Sequence, residues 1–197
     1  KIQNSMGSSY TAEVPLKIER IEESYVLVVE GRADGIAFGE FVADEPAKQI
    51  EEQRLLEKQK DEMQIGEQLW YIDEIKGVYR TLASMEQPVY VHKAQAMCYA
   101  YIYALQNHLD RIGVQMTYCN LDTEDIRYFR EIWEWEDLYD WFEHLIAEYK
   151  KWADWQIAWR QKRQESIAQL EFPYPYREGQ RKLVADVYRT IIRRKTL

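Results

Sequence analysis

The sequence predicts an α/β fold: a central mixed β-sheet flanked by helices, continued by a C-terminal helical extension. Three observations predict it. Residues 13–43 and 69–78 carry strand chemistry, residues 89–109 and the stretch from Leu138 towards Leu170 carry helical spacing, and a second short hairpin separates those two helical stretches.

The first strands are read from Glu13 to Glu19 and from Tyr25 to Glu30, which are β-branched or alternating. The Gly31 to Gly39 stretch keeps apolar residues between its glycines, so an antiparallel meander is expected. Residues 44–68 change character, with Asp44, Glu45, Glu51, Glu52, Glu57, Asp61, Glu62 and Glu67 facing only Lys48, Arg54, Lys58 and Lys60. That acidic excess reads as a solvated helical insertion within a hairpin.

Leu69 to Val78 returns to strand, with Leu69, Tyr71, Asp73 and Ile75 on one face and Trp70, Ile72, Glu74 and Lys76 on the other. After Pro88 a helix is expected, its apolar stripe formed by Met97, Tyr101, Ala104 and Leu105. Val114 to Asn120 and Ile126 to Trp133 then form a hairpin around the turn formers Asp122, Thr123, Glu124 and Asp125.

Glu136 or Asp137 can cap a helix whose acidic start suits the dipole, and the apolar period through Leu138, Trp141, Phe142, Leu145, Tyr149 and Trp152 runs on as one helix or two. Two prolines in Phe172-Pro-Tyr-Pro-Tyr176 end the helical stretch.

Composition narrows the function. The chain has 197 residues, enough to bury a core without disulfide staples or a structural metal. A net charge of −8 excludes a wholesale cationic coat for nucleic acid, though not a local basic groove. No apolar run is long enough to span a membrane, and no charged-then-apolar leader opens the chain, so a soluble, cytoplasmic protein is expected. Cys98 and Cys119 lack zinc-site spacing and read as buried thiols of a reducing compartment. Lys1 to Tyr10 reads as the continuation of a longer chain.

The informative constellation is Asp34 in Gly31-Arg-Ala-Asp-Gly35, then Glu74-Ile-Lys76, then Gln95 and Tyr99. Residues two apart on a strand share a face, so Glu74 and Lys76 emerge side by side. If the strand bearing Asp34 pairs alongside, two carboxylates meet in the oxygen-rich, incompletely filled setting that Mg²⁺ or Mn²⁺ prefers. A lysine beside such a cation orients or deprotonates water and offsets charge growing on phosphorus. Gln95 and Tyr99, four apart on one helix face, would bind the water, the lysine or a phosphate.

These residues, with Ile72-Asp-Glu-Ile-Lys-Gly77 and Gln95-Ala-Met-Cys-Tyr-Ala-Tyr101, resemble the successive motifs of the PD-(D/E)XK nucleases, in particular their RecB-like exonuclease branch. By strand and helix order the resemblance covers roughly residues 13–150. It implies a restriction-endonuclease-like core in which Asp34, Glu74 and the main-chain carbonyl of Ile75 hold Mg²⁺ or Mn²⁺, Lys76 is catalytic, and Gln95 and Tyr99 complete the site. The implied activity is metal-dependent, exonucleolytic cleavage of single-stranded DNA or DNA ends during DNA repair or processing. The family also carries an upstream helix whose His or Glu reaches the metal; nothing before Glu13 supplies it, and Glu13 itself reads as a surface residue at a strand start.

A second resemblance begins at Phe172-Pro-Tyr-Pro-Tyr-Arg-Glu-Gly-Gln180, which is similar to the segment ahead of motif I in XPD/DinG-type helicases. It implies that Gln180 would sit near adenine and that a helicase module acts in cis or in trans. No phosphate-binding GxxxxGK[ST] loop follows, so ATP hydrolysis is not expected of these residues. Arg177, Arg181, Lys182, Arg189, Arg193, Arg194 and Lys195 against Glu178 and Asp186 make this end basic, suited to phosphates or to docking on another domain. The resulting division is a nuclease-like domain over 1–170, with its N-terminal helix truncated and 44–68 inserted, and a linker with the start of a helicase-like module over 171–197.

Two further readings stay open. In one, the domain no longer cuts and grips DNA or a partner for the helicase; in the other, the aromatic helices make a purely structural interaction module. His92, His108 and His144 show no ligand spacing and receive no role. Trp133, Trp135, Trp141, Trp152, Trp155 and Trp159 read as core or interdomain contacts rather than base-stacking platforms.

Overall fold

The computed structural model describes residues 9–44, 66–171 and 173–194. The chain divides into two compact units, Lys1–Ala147 and Glu148–Leu197. The first unit is built on a five-stranded sheet, and its strands lie in the order in which they occur in the chain.

Strands β1 (Tyr10–Ile21), β2 (Val26–Phe41) and β3 (Glu67–Val78) form the antiparallel meander expected from the sequence. The insertion expected over 44–68 falls almost wholly outside the described residues; β2 and β3, which flank it, pair directly. From β3 the chain passes through a short 3₁₀ turn, Leu82–Ser84, into helix α1 (Tyr90–Asn107) and returns as β4 (Arg111–Asn120) parallel to β3. β5 (Ile126–Glu134) closes the sheet antiparallel to β4 across the predicted turn, where the Asn120 side chain accepts the amides of Asp122 and Thr123. The sheet is therefore mixed, in an α/β architecture with a C-terminal helix, as the sequence predicts.

Helix α1 begins two residues after Pro88, with Val89 as its N-cap, and the proline, which cannot supply a helical N–H, is tolerated ahead of a first turn. It ends at His108, whose left-handed backbone (φ 54°) turns its N–H back to the Ala104 carbonyl. Its Met97, Tyr101 and Ala104 are buried as expected, but Leu105 is 37% exposed and lies off the buried stripe, which continues through Ala96, Tyr99, Ala100 and Ile102 instead. An α-helical period of 3.6 carries Leu105 past the edge of the face that Ala96 and Ala100 define.

β1 and β2 depart from simple alternation. Leu27, Val29 and Ala33 pack in the core with Leu16, yet so does Ile36, three positions after Ala33. The side-chain period shifts at Asp34, and across the sheet from it Glu13 takes a left-handed backbone (φ 57°) between the paired residues Ala12 and Val14. Glu13 is thus an interior residue of β1 rather than its start, exposed and facing Arg32 at 3.4 Å.

Helix α2 (Trp135–Ala168) begins before both cap candidates, so Glu136 and Asp137 lie within its first turn, where their charges still suit the dipole, and the helix is continuous for 34 residues. Leu138, Phe142 and Ile146 are its buried positions, with the Phe142 ring stacked on Tyr101 at 3.8 Å and Arg20 ion-paired to Glu143. Trp133, Trp135 and Trp141 pack against the core. Trp152, Trp155 and Trp159 do not: they are at least half exposed, and no residue of the helix beyond Ile146 is buried. In the second unit, the Trp155 and Trp159 rings are parallel at 6.1 Å, and α3 (Gln180–Ile192) follows the non-helical proline segment.

Candidate functional site

The parallel and antiparallel ladders of β3 overlap only in part, and the site lies where they diverge. β2 pairs with β3 up to Gly35–Asp73, whereas β4 stays paired through Val78. The amide of Ile75 therefore lies two residues beyond the last rung with β2, and the Asp34 side chain meets it: Ile75 N–H donates to Asp34 Oδ2 at 2.7 Å. A carboxylate takes the place of a ladder carbonyl and is carried to the backbone between Glu74 and Lys76.

The two faces of β3 are those predicted. Asp73 points to one, where its carboxylate accepts from Thr117 Oγ1 at 2.5 Å and from the Tyr10 hydroxyl at 3.3 Å. Glu74 and Lys76 point to the other, towards α1. Lys76 Nζ donates to Glu74 Oε1 at 2.5 Å and to Gln95 Oε1 at 3.2 Å, and Gln95 Nε2 in turn donates to the Tyr99 hydroxyl at 3.1 Å. Every sequence-predicted site residue, namely Asp34, Glu74, Ile75, Lys76, Gln95 and Tyr99, thus enters one connected group.

Gly31 is required for the last of these contacts. A Cβ there would lie 2.5 Å from the Tyr99 hydroxyl and 2.7 Å from its ring, so the phenol reaches its place only because the strand has no side chain at this point.

Glu74 is the unusual member. Its residue exposure is 1%, and Oε2 is the one buried side-chain polar atom among the described residues without a hydrogen-bond partner. Burial raises its carboxyl pKa above the ordinary value, the Lys76 hydrogen bond and charge pull it down, and the nearby Asp34 and Asp73 carboxylates raise it again. Burying a charged oxygen with no partner is costly, and such an atom asks for a ligand or ion.

The donor set is oxygen-only: carboxylates at Asp34 and Glu74, with peptide carbonyls of β3 beside them. Its chemistry suits a hard divalent cation that keeps part of its water shell. Among the described residues no group of three or more His, Cys, Asp or Glu side chains is arranged to hold a metal. A cation here would rest on two carboxylates, main chain and water.

His92, which receives no role from the sequence, lies on the same face of α1 as Gln95 and Tyr99, at the spacings of three and seven residues that mark one helix face. At the other resemblance, Gln180 opens α3 and its side-chain carbonyl accepts the Arg177 amide at 2.7 Å, while the Arg181 guanidinium lies 5.5 Å from the Tyr176 ring.

No protein-family model matches this chain, and no curated protein matches it. Among solved structures it is similar to the crystal structure of SSO0001, with 17% identity and a TM-score of 0.35 over 70% of this chain. The aligned part spans 49% of that protein's chain. No helix among the described residues is long and apolar enough to cross a membrane.

Proposed function

We propose that this protein is a Mg²⁺- or Mn²⁺-dependent deoxyribonuclease that hydrolyses phosphodiester bonds in single-stranded DNA or at DNA ends, exonucleolytically, in DNA repair or processing alongside a helicase module. The observation that carries the reading is the buried, unpartnered Glu74 Oε2 in a group that also contains Asp34 and Lys76.

Asp34, Glu74 and the Ile75 carbonyl would hold the cation. When bound, it would supply Lewis-acid polarisation of the phosphate and a more acidic water. The ammonium of Lys76 has three N–H donors, and Glu74 and Gln95 take two of them. The third is left for the attacking water or a phosphate oxygen, where it offsets charge as the transition state forms. Gln95, braced by Tyr99, fixes the direction of Lys76 Nζ.

The test is incubation of labelled single-stranded DNA with Mn²⁺ and with Mg²⁺. Cleavage that Lys76→Ala abolishes supports the reading; intact DNA with either cation overturns it.

A second reading, a nuclease-like module that holds DNA or a partner without cutting, draws support from the two-carboxylate donor set. It predicts DNA retention without hydrolysis in the same experiment.

A further inference from the structure

The face of α1 that carries Gln95 and Tyr99 also carries His92, one turn nearer the helix start. The tertiary structure places it over the lysine strand from a second direction. Tyr118 of β4 stands opposite Lys76 in the parallel ladder, and the His92 ring lies 5.9 Å from the Tyr118 ring. The Tyr118 hydroxyl has two polar neighbours, the Val89 amide and His92 Nδ1, each at 3.0 Å.

These contacts fix the imidazole tautomer. The Val89 N–H can only donate, so it uses a lone pair of the Tyr118 oxygen. Tyr118 is fully buried, and its own proton has one acceptor within reach, His92 Nδ1. Leaving a buried hydroxyl proton unpaired would cost the full desolvation penalty, so Nδ1 accepts and the ring proton resides on Nε2. An imidazole whose Nδ1 accepts a hydrogen bond is neutral, and burial and the nearby Lys76 charge both lower the His92 pKa in the same sense.

Among the described residues Nε2 meets no hydrogen-bonding group, and Glu74 Oε2 is the only buried side-chain polar atom without a partner, so the Nε2 edge reaches the surface. A neutral donor of fixed direction is therefore displayed beside the lysine, held by a buried tyrosine and by the amide at the start of the helix.

We propose that His92 is a substrate-binding residue that donates Nε2–H to a phosphodiester oxygen next to the scissile phosphate of a single DNA strand. This assignment rests on the nuclease reading above for the identity of the strand. A neutral donor suits that position, since it grips a phosphate without adding a second cation beside Lys76 and the metal ligands.

The test uses two substitutions with different reach. His92→Asn keeps an acceptor where Nδ1 meets Tyr118 but has nothing at the Nε2 position, whereas His92→Gln places an amide N–H₂ near that position. Binding of a fluorescein-labelled oligothymidylate of about 15 nucleotides is measured by anisotropy with Ca²⁺ in place of Mn²⁺. Thermal midpoints and kcat against KM with Mn²⁺ are measured alongside.

His92→Asn is expected to weaken binding about three- to tenfold and to raise KM by a similar factor, with kcat and thermal midpoint near wild type. His92→Gln is expected to recover most of the affinity. If wild type cleaves DNA and His92→Asn binds as tightly as wild type, the inference fails and the nuclease reading stands. A loss shared equally by both variants and matched by a fall in thermal midpoint also overturns it, because His92 then serves only the fold. If wild type binds DNA through His92 but never cleaves, the nuclease reading fails and the histidine contact survives.

Discussion

The Asp34 carboxylate accepts the backbone N–H of Ile75 at 2.7 Å, joining the side chain of one strand to the main chain between Glu74 and Lys76 on the next. Through this bond two acidic residues and a lysine from distant parts of the chain come to one place. It also locks the backbone whose side chains would meet the cation.

If Asp34 and Glu74 hold a divalent cation, Mn²⁺ titrated into the wild-type protein releases measurable heat, and Asp34→Ala gives none. Lys76→Ala keeps the binding heat but loses about 10²- to 10³-fold in cleavage rate, the range expected on removing a donor that stabilises transition-state charge. Equal, negligible heats for wild type and Asp34→Ala would remove the metal site.

Glu74→Gln removes a buried charge that lacks a partner for one oxygen and lies near two other carboxylates. In chelator the variant is expected to be more stable than wild type by about 1 kcal/mol, a rise of roughly 2–4 °C in thermal midpoint. Mn²⁺ reverses the order, because it stabilises only the protein that binds it. A lower midpoint for the variant in chelator would show that Glu74 is a structural ion-pair residue.

Gly31→Ala forces a methyl group against the Tyr99 ring, so the phenol must leave Gln95. Overpacking of this kind costs about 1–3 kcal/mol, and cleavage should fall further than stability because Lys76 loses its brace. Melting curves and single-turnover rates separate the two effects; an unchanged rate would mean that Tyr99 contributes nothing to the site.

Burial pushes the Cys98 thiol up to about 11. A raised thiol pKa means less thiolate at pH 8, so Cys98 should resist iodoacetamide in the folded protein and react at an ordinary rate once unfolded. Its labelling should rise steeply as pH approaches 11. Rapid modification of Cys98 in native protein at pH 8, followed by peptide mass spectrometry, would contradict its partly buried place against the core.

Phe142→Ala empties a fully buried site stacked on Tyr101 and is expected to cost roughly 3–5 kcal/mol in denaturant unfolding. Trp155→Ala, at a position 59% exposed, should change stability by no more than about 0.5 kcal/mol. Comparable losses at both positions would mean that the outer half of α2 is covered by a partner.

The site was legible to different depths. Glu74 and Lys76 were placed together by strand alternation alone, and Gln95 with Tyr99 by helical spacing, since both periods are local properties of the backbone. Asp34 was harder: whether it met them depended on β2 pairing with β3 and on the shift of alternation near Glu13, which no local pattern encodes. Leu105 falls off the buried stripe for a related reason, because apolar spacing marks a helix face without marking where the surface it packs against ends.

The residues by themselves determined the element order, the two faces of β3 and the turn at Asn120, because each follows from steric periods and side-chain hydrogen bonds a few residues apart. Only the tertiary structure decided that the β3–β4 pair is parallel in a register setting Lys76 against Tyr118, that Asp34 bonds Ile75, and that His92 Nδ1 meets the Tyr118 hydroxyl. Those relationships join residues far apart in the chain, and their distances are set by sheet register and helix docking, which depend on the packing of the whole core.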